Sequence, residues 1–290
     1  MSEHPQDPWA QWILHSRHGG DLEQQKRDLE YLIPIRDKVL RHAKIAADDV
    51  VLDLGTGDGL MAFGALAQIG EHGRVILSDI SQGCLEYCQS LVHHLGVTER
   101  CQFLRTSADD LTALQDASVD VITTRSVLIF VAAKQRAFQE CYRVLKPNGR
   151  LTFFEPINRY FGIPGPPGYD VTPLQDLWPK IMAAYTRQQP PGADPMSDFD
   201  EHDLLTFAEQ AGFRDIQLEL QVRIMPMLPL CWDLWVQSAQ HPLLPTLADV
   251  LQEALTPEER SRCIAHLRPL MESGQGTWRD AVAYLWAVKH

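Results

Sequence analysis

The sequence predicts an α/β fold in which a parallel sheet carries helices on both faces. Residues 50–59 start with a buried apolar run, continue with a glycine-rich turn and reach the start of a helix, which is how an α/β nucleotide site opens. Strand and helix patterns then alternate from 49 to 156, as expected for parallel strands joined by helical crossovers. The ligand crevice of such a sheet lies at the carboxyl ends of its strands.

The glycine turn after the first predicted strand carries charges that select its ligand. Its G-x-G-x-G spacing lets the backbone lie close against a ligand, and the glycines are Gly55, Gly57 and Gly59. A dinucleotide would place its pyrophosphate at this helix N-terminus, but Asp53 and Asp58 would repel it. Leu60 also stands where G-x-G-x-x-G requires glycine. The turn therefore favours a nucleoside with a cationic tail and no phosphate, such as S-adenosylmethionine (SAM).

The next predicted strands end in polar groups at the same edge of the sheet. Residues 74–80 form a second strand containing Asp79, whose carboxylate can accept both ribose hydroxyls of an adenosine. A third strand covers 101–107, a fourth covers 119–124, and a fifth covers 150–155. After the third strand, a backbone N–H and a carboxylate are placed to read the two edges of adenine, and the candidates are Ala108, Asp109 and Asp110.

On these motifs the chain resembles the class I SAM-dependent methyltransferases, nearest to the group of ubiquinone/menaquinone C-methyltransferases and small-molecule methyltransferases. The resemblance covers roughly residues 35–156. It places the family's first motif on Asp53 and the three glycines, and its ribose acid on Asp79. The motif after the fourth strand falls on 124–126, and the family's Leu-Lys-Pro-Gly-Gly turn falls on 145–149.

Two positions depart from the family pattern. Ser107 precedes Ala108 where the family usually has Asp-Ala, so the carboxylate that reads adenine is Asp109 or Asp110. Asn148 replaces the first glycine of the turn, and Asn tolerates the left-handed conformation that such a turn uses.

The resemblance implies a Rossmann-like, seven-stranded, mostly parallel sheet with helices on both faces, an N-terminal helical cap and helical insertions. We expect the cap at 1–48 and the SAM-binding core at 49–156. A lid or acceptor-binding insertion follows at 157–200, since this long stretch is rich in proline and glycine. Residues 201–290 complete the sheet, with a helical insertion at about 230–278 and a final antiparallel strand.

The expected cofactor contacts follow the motifs. They are Asp53, Gly55, Thr56, Gly57, Asp79, Ile80, Ala108, Asp109, Arg125 and Ser126. Asp53 could instead cap the following helix, and Asp58 could be a first-turn charge instead of a ligand contact. Arg125 either pairs with an acid of the chain or holds the SAM carboxylate or an acceptor anion.

Acceptor contacts and a general base are predicted from residues outside the glycine turn. All seven tryptophans lie outside 49–156, so we expect an aromatic acceptor pocket from the cap and the lid; its candidates are Trp9, Trp12, Tyr169 and Trp178. The candidate bases are Glu155, at the end of the fifth strand, and His18, with His15 and His202 as further options. Glu155 could instead bind backbone groups.

The composition of the chain limits the kinds of partner and the cellular location that we expect. The chain has 290 residues, a net charge of −12 and no basic stripe, which argues against nucleic acid. No apolar run approaches the roughly 18 residues that span a bilayer, and the N-terminus lacks a signal-peptide pattern, so we expect a cytoplasmic protein without membrane insertion. The six cysteines are scattered and predict neither a metal site nor disulfides. The oligomeric state is left open.

Together these features predict a methyltransferase that passes the SAM methyl group in line to a small aromatic or apolar molecule and releases S-adenosylhomocysteine (SAH). A SAM-binding sensor without turnover is an alternative that fits the same site. An NAD-type dehydrogenase is disfavoured by the carboxylates of the glycine turn. The acceptor atom (O, N, C, S or As) is left open.

Overall fold

Seven strands form a single sheet in the computed structural model, which describes residues 7–17, 22–161, 168–187, 194–239, 241–242 and 244–290. The strands are β1 (Val50–Leu54), β2 (Arg74–Asp79), β3 (Cys101–Arg105), β4 (Val119–Arg125), β5 (Leu145–Pro156), β6 (Arg214–Pro226) and β7 (Thr277–Val288). Their order is β3-β2-β1-β4-β5-β7-β6. The first five strands are parallel, and β7 runs antiparallel to both β5 and β6. The predicted fold class is confirmed.

The order of the strands fixes where a ligand can bind. The chain proceeds outward from β1 to β2 and β3, and then returns to place β4 on the other side of β1. Crossovers on the two sides of this point diverge, which opens a crevice at the carboxyl ends of β1 and β4.

The described helices cover the sheet and extend beyond it. They are α1 (Pro8–Gln11), α2 (Leu22–Ala43), α3 (Leu60–Leu66), α4 (Gln82–His94), α5 (Lys134–Val144), α6 (Trp178–Thr186), α7 (Glu201–Ala211), α8 (Trp232–Trp235), α9 (Leu247–Ala254) and α10 (Pro257–Glu272). Across the described ranges, none of the helices is both long enough and apolar enough to cross a membrane.

The two faces of the sheet have separate cores because successive strand residues point to opposite sides. On β2, Val75 and Leu77 pack in the core that includes α2 and α3, whereas Ile76 packs in the core that includes α5 and α7. On β5, Phe153 joins the second of these cores and Phe154 joins the first. Helices on both faces therefore bury the sheet.

A third core lies outside the sheet. Residues 168–187 pack around apolar side chains with the described residues 227–239, 241–242 and 244–272, and we call these two segments the helical subdomain. Its fully or nearly fully buried members include Leu177, Ile181, Val250, Leu251 and Leu267. It joins the sheet through backbone bonds from Thr277 N to Gly168 O (3.0 Å) and from Met227 N to Gly276 O (3.0 Å). The sequence predicts the lid and the later insertion as separate segments, whereas the structure joins much of them in one packed unit.

A buried lysine, Lys134, attaches the segment around Pro195 and Asp198 to the core. The ammonium group of Lys134, which is only 3% exposed, donates to Val131 O, Pro195 O and the carboxylate of Asp198. It also lies 4.8 Å from the ring centre of Phe199. The contacts satisfy a cation that burial would otherwise destabilise.

We expect Lys134→Met to lower the free energy of unfolding by about 2 kcal/mol, because two carbonyls and a carboxylate lose their donor. Urea unfolding followed by circular dichroism measures the change. Lys180→Met is the matched control: it breaks an ion pair with Glu259 on an exposed surface and should cost less. Equal losses in the two variants would contradict the anchoring role of Lys134.

Candidate active site

The glycine turn joins β1 to α3 in a left-handed backbone conformation. Gly55, Gly57 and Gly59 have φ values of 69°, 54° and 86°, which glycine adopts without the strain that other residues incur. A Cβ at Gly55 would lie 2.3 Å from a methyl carbon of Val127, which follows β4. The turn therefore packs directly against the chain that leaves β4, and only glycine fits at this point.

Asp53 lies beneath this turn and not on its surface. Its side chain, 1% exposed, accepts hydrogen bonds from Thr56 Oγ1 (2.8 Å), Ala62 N (3.0 Å) and Thr123 Oγ1 (3.3 Å). Burial raises the pKa of Asp53 to about 7 despite these bonds. Thr56 is also buried, and its amide donates to Ser78 O. Asp53 and Thr56 were predicted as cofactor contacts. Their described hydrogen bonds are all to protein groups, so both residues support the turn from beneath.

Asp79 is largely buried and lies directly beside the turn. Its carboxylate, at the end of β2, accepts from Gly57 N (2.8 Å) and Ser81 N (2.9 Å), and burial raises its pKa. Each carboxylate oxygen retains a second lone pair for a ligand hydroxyl. Ile80, the next residue, is 45% exposed. Asp79, the predicted ribose acid, is thus joined directly to the glycine turn.

The candidate adenine contacts occupy a turn after β3. Ala108 is buried, Asp109 is partly buried, and Asp110 is exposed. Asp109 accepts a hydrogen bond from the Ser107 hydroxyl, whereas Asp110 accepts from the hydroxyl of Thr112 at 2.8 Å. Asp110 thus faces solvent and holds its own turn, whereas Asp109 is the less exposed of the two carboxylates.

Arg125 brings a positive charge to the crevice. It ends β4, is partly buried, and has neither a hydrogen bond nor an ion pair among the residues that the structure describes. Burial, and secondly the nearby positive charge of Arg17, lower its pKa to about 10. The next residue, Ser126, has a φ of 54° and donates its amide to Phe154 O. Arg125 is therefore available for an anionic group of a ligand.

Residues 7–17 are the first described part of the N-terminal cap predicted at 1–48, and from here on the word cap refers to residues 7–17 alone. They lie across the carboxyl edge of the sheet. At one end, a Cβ at Gly83 in the first turn of α4 would lie 2.6 Å from the Cβ of Ala10. Farther along, a Cβ at Gly57 would lie 3.6 Å from a methyl carbon of Ile13. The cap therefore covers the glycine turn, as expected for a segment that shields a bound cofactor.

Asp7 fixes the cap to the cofactor side of the crevice. One carboxylate oxygen caps α1 by accepting from Trp9 N and Ala10 N, both at 3.1 Å. The other accepts from Ser81 Oγ (2.8 Å) and Gly83 N (3.1 Å) at the start of α4. The N-terminus of a helix favours a negative charge, so a single carboxylate joins two helix starts.

An aromatic cluster forms at the other end of the cap. Its members are Trp9, Trp12, Phe130 and His241. Trp9 lies 5.0 Å from Phe130 and 5.4 Å from His241 between ring centres. Trp12 also donates its indole N–H to Ala239 O at 2.6 Å. The cluster therefore joins the cap, the end of β4 and the helical subdomain.

The other two predicted acceptor contacts lie elsewhere. Tyr169, only 6% exposed, and Trp178 belong to the core of the helical subdomain. A Cβ at Gly276 would lie 2.8 Å from the Tyr169 ring. Their place in this core favours a packing role for both side chains.

The predicted bases are differently placed. Glu155 is fully buried, and its carboxylate accepts from the amides of Val127 (2.8 Å), Leu128 (2.9 Å) and Ile129 (3.2 Å). Burial raises its pKa to about 7. These bonds favour the backbone-binding role over a catalytic one. His18 lies outside the described residues, and both His15 and His202 are exposed.

Several residues of this region were not predicted from sequence. Asp7 followed by Pro8 does carry a local signal, because an acidic N-cap before a first-turn proline is a helix start. Phe130 and His241 carry no such signal. They lie more than a hundred residues apart in the chain, and only tertiary packing brings their rings to 5.2 Å.

The described sheet has the architecture of the class I SAM-dependent methyltransferases. Residues 52–153 match a family model described as a methyltransferase domain. The ubiquinone/menaquinone biosynthesis C-methyltransferase UbiE of Pseudoalteromonas translucida is 39% identical over 107 residues, which cover 36% of this chain and 41% of that protein. UbiE of Klebsiella pneumoniae is 37% identical over 107 residues, which again cover 36% of this chain and 41% of that protein. The chain thus spans less than half the length of these curated relatives.

Solved structures agree with the fold. The YcgJ protein of Bacillus subtilis superposes with a TM-score of 0.56 at 19% identity, covering 91% of this chain and 99% of that chain. A SAM-dependent methyltransferase of Aquifex aeolicus gives a TM-score of 0.51 at 17% identity, covering 93% and 99%. These structural matches confirm the fold, and the family model identifies residues 52–153 as similar to a methyltransferase domain.

Asp7→Ala should weaken SAM binding by about fivefold, because the cap loses a contribution of about 1 kcal/mol to its docking. Isothermal titration calorimetry with SAM measures this change. Thr256→Ala is the matched control, since it removes the N-cap of α10, far along the chain from the crevice. It should lower stability without altering the affinity for SAM. Unchanged affinity in Asp7→Ala would contradict a docked cap over the cofactor.

Asp53 should make stability depend on pH. Its raised pKa means that the folded protein binds a proton that the unfolded chain releases between about pH 4 and about pH 7. Stability relative to Asp53→Asn should therefore fall by on the order of 4 kcal/mol as pH rises through this window. Urea unfolding measured across this pH range tests this expectation. Asp48→Asn, on the exposed surface, is the control and should show the same dependence of stability on pH as the wild type. Parallel curves for wild type and Asp53→Asn would disprove it.

Proposed function

We propose that this protein is a SAM-dependent methyltransferase that acts on a small aromatic or apolar molecule. The observation that carries the proposal is the bond between the Asp79 carboxylate and the Gly57 amide at 2.8 Å. It unites the acid that suits ribose hydroxyls with the glycine turn that admits a close ligand.

The charges of the crevice support SAM as the cofactor. Asp58 and Asp79 supply negative charge around the glycine turn, which suits the ammonium and sulfonium groups of SAM and disfavours a pyrophosphate. Arg125, beyond the turn, would hold the SAM carboxylate or an anion of the acceptor. Ala108 and Asp109 would face the adenine. This set of charges matches a zwitterionic nucleoside better than NAD.

The chemistry requires positioning above all. When bound, SAM supplies an activated methyl group, and the protein holds the acceptor atom in line with it. The cap and the aromatic cluster exclude water from the sulfonium and offer flat apolar walls to the acceptor. The relatives named for ubiquinone and menaquinone biosynthesis support a planar acceptor here.

We also propose that the protein works in the cytoplasm on a small molecule and not on nucleic acid. All six cysteines are free thiols, which suits a reducing compartment. The net charge of −12 disfavours a polyanionic partner.

Asp79→Asn should weaken SAM binding at least tenfold, because the ribose hydroxyls lose a charged acceptor. Calorimetry with SAM, and separately with NAD, tests the proposal on the wild type and the variant. Asp110→Asn is the matched control, since this exposed carboxylate bonds to Thr112, and it should bind SAM as the wild type does. Binding of NAD in preference to SAM by the wild type would overturn the proposed function.

A further inference from the structure

One edge of the sheet offers a long row of unpaired backbone groups. The edge strand β6 has 13 residues, whereas β3 at the opposite edge has five. β6 pairs with β7 on its inner side, and within the described ranges none of the backbone hydrogen bonds reaches its outer side. The outer side of β6 is therefore a template on which another strand can pair.

The end of the β6–β7 ladder shows which residues of β6 face outward. Met227 and Gly276 lie opposite each other, one position beyond the last pair, Pro226 and Thr277, and Met227 N donates to Gly276 O at 3.0 Å. Residues that bond the partner strand alternate with residues whose N–H and C=O point away from it. Counted back from Met227, the outward-pointing groups are those of Leu218, Leu220, Val222 and Ile224.

Both ends of this row are closed to further pairing. Near the start of β6, Asp215 has a φ of 47°, and the register with β7 shifts between Arg214 and Gln217, which marks a bulge. At the end, Pro226 belongs to the outward-pointing set but has no N–H to donate. Bulges and prolines are features that stop edge pairing, and the four residues between them carry neither.

The side chains of these four residues form an apolar strip on the face of the sheet that α7 covers. Leu218 and Leu220 pack against the core that includes α5 and α7. Val222 and Ile224 continue the strip but are 41% and 62% exposed. Exposed β-branched side chains on an edge strand gain from packing against a cross-strand neighbour.

The opposite face of β6 carries two opposite charges four residues apart. Oε1 of Glu219 accepts from Lys38 Nζ (2.6 Å) and Gln221 Nε2 (2.8 Å), and Oε2 has no hydrogen bond to the residues that the structure describes. Arg223 binds Asp280 through Nε and Nη2, and its Nη1 likewise bonds to none of the described groups. The side chains of Glu219 and Arg223 are 43% and 32% exposed. Each can therefore take one more charged partner.

We propose that β6 pairs antiparallel with β6 of a second copy of this chain, about a two-fold axis that passes beside Gln221. In this register Leu220 lies opposite the partner's Val222, and Leu218 lies opposite the partner's Ile224. All four residues direct their N–H and C=O outward, so each pair exchanges two backbone hydrogen bonds. The exposed apolar side chains become buried between the copies, and the isologous contact closes at two chains.

The charges of the other face select this register. Counted from Gln221, Glu219 lies opposite the partner's Arg223, in a pair whose side chains are close because it carries no backbone bonds. The two-fold axis repeats this ion pair on its other side. Moving the axis by one residue in either direction would separate Glu219 from Arg223. The apolar strip and the charges are thus self-complementary in the same register.

The oligomeric state tests the pairing. Sedimentation velocity of the full chain over a range of concentrations should show a monomer–dimer equilibrium. Ile224→Lys should raise the dimer Kd at least tenfold, because both copies then place a charge against an apolar neighbour. Leu228→Lys is the matched control, since Leu228 is 77% exposed but lies beyond β6, and it should keep the wild-type Kd. A monomer at every concentration, or a dimer that Ile224→Lys leaves intact, would overturn the proposal.

Two charge variants test the register. Glu219→Lys and Arg223→Glu each place like charges across the axis, so each variant alone should dimerise at least tenfold more weakly than the wild type. An equimolar mixture of the two should restore dimers, because every such pair in the mixed dimer again joins opposite charges. Circular dichroism checks that both variants are folded. If mixing restores no dimer, this register is wrong.

A disulfide at the axis gives a readout that is independent of affinity. Gln221 lies opposite its own copy, and antiparallel pairs without backbone bonds bring their Cα atoms to about 4.5 Å, which a disulfide can span. Under mild oxidation, Gln221→Cys should form covalent dimers on non-reducing gels. Gln217→Cys, on the same face of β6, is the control and should remain monomeric. Equal rates of cross-linking in the two variants would contradict the proposed axis.

Discussion

A buried carboxylate fixes how the first strand passes into its helix, and the site depends on that passage. Asp53 bonds to the turn at Thr56, to α3 at Ala62 and to β4 at Thr123. It thereby sets the turn, the helix and the neighbouring strand relative to one another. Without this arrangement, the amide of Gly57 would not face Asp79 across the edge of the sheet.

The contacts continue outward from that turn. Asp79 binds the amides of Gly57 and Ser81, and the hydroxyl of Ser81 in turn binds Asp7. Asp7 begins α1, which carries Trp9 towards Phe130 and His241. A chain of short polar bonds thus leads from the inside of the sheet to an apolar cluster at its rim. The proposed cofactor and acceptor regions are therefore connected by a continuous series of side-chain contacts.

The parts of this arrangement that could be predicted from sequence are those with local signals. The strands of the core could be predicted because apolar runs and glycine turns are local patterns of the sequence. The left-handed conformation expected at Asn148 is also present, with a φ of 65°. The sequence predicted a helical insertion at about 230–278, but not that it packs with the earlier lid segment, because these two segments meet through contacts between residues tens of positions apart. Glu155 was correctly placed at the end of β5, but its three amide donors depend on how the chain leaves β4. Arg125 stood out from sequence because an arginine is rare at the end of a buried strand.

The cap has a consequence for the order of events during turnover. It rests on the cofactor side through Asp7 and on the aromatic cluster through Trp9, so ligand exchange on either side disturbs the same short segment. On the proposed function, a nucleoside bound against the glycine turn would lie beneath Ile13 and would leave only when the aromatic rings release the cap. The kinetics should therefore be sequential and ordered, with the cofactor entering first and the spent nucleoside leaving last. The residence time of that product, set by the lifetime of the closed cap, then becomes a property of an eleven-residue segment and not of the sheet.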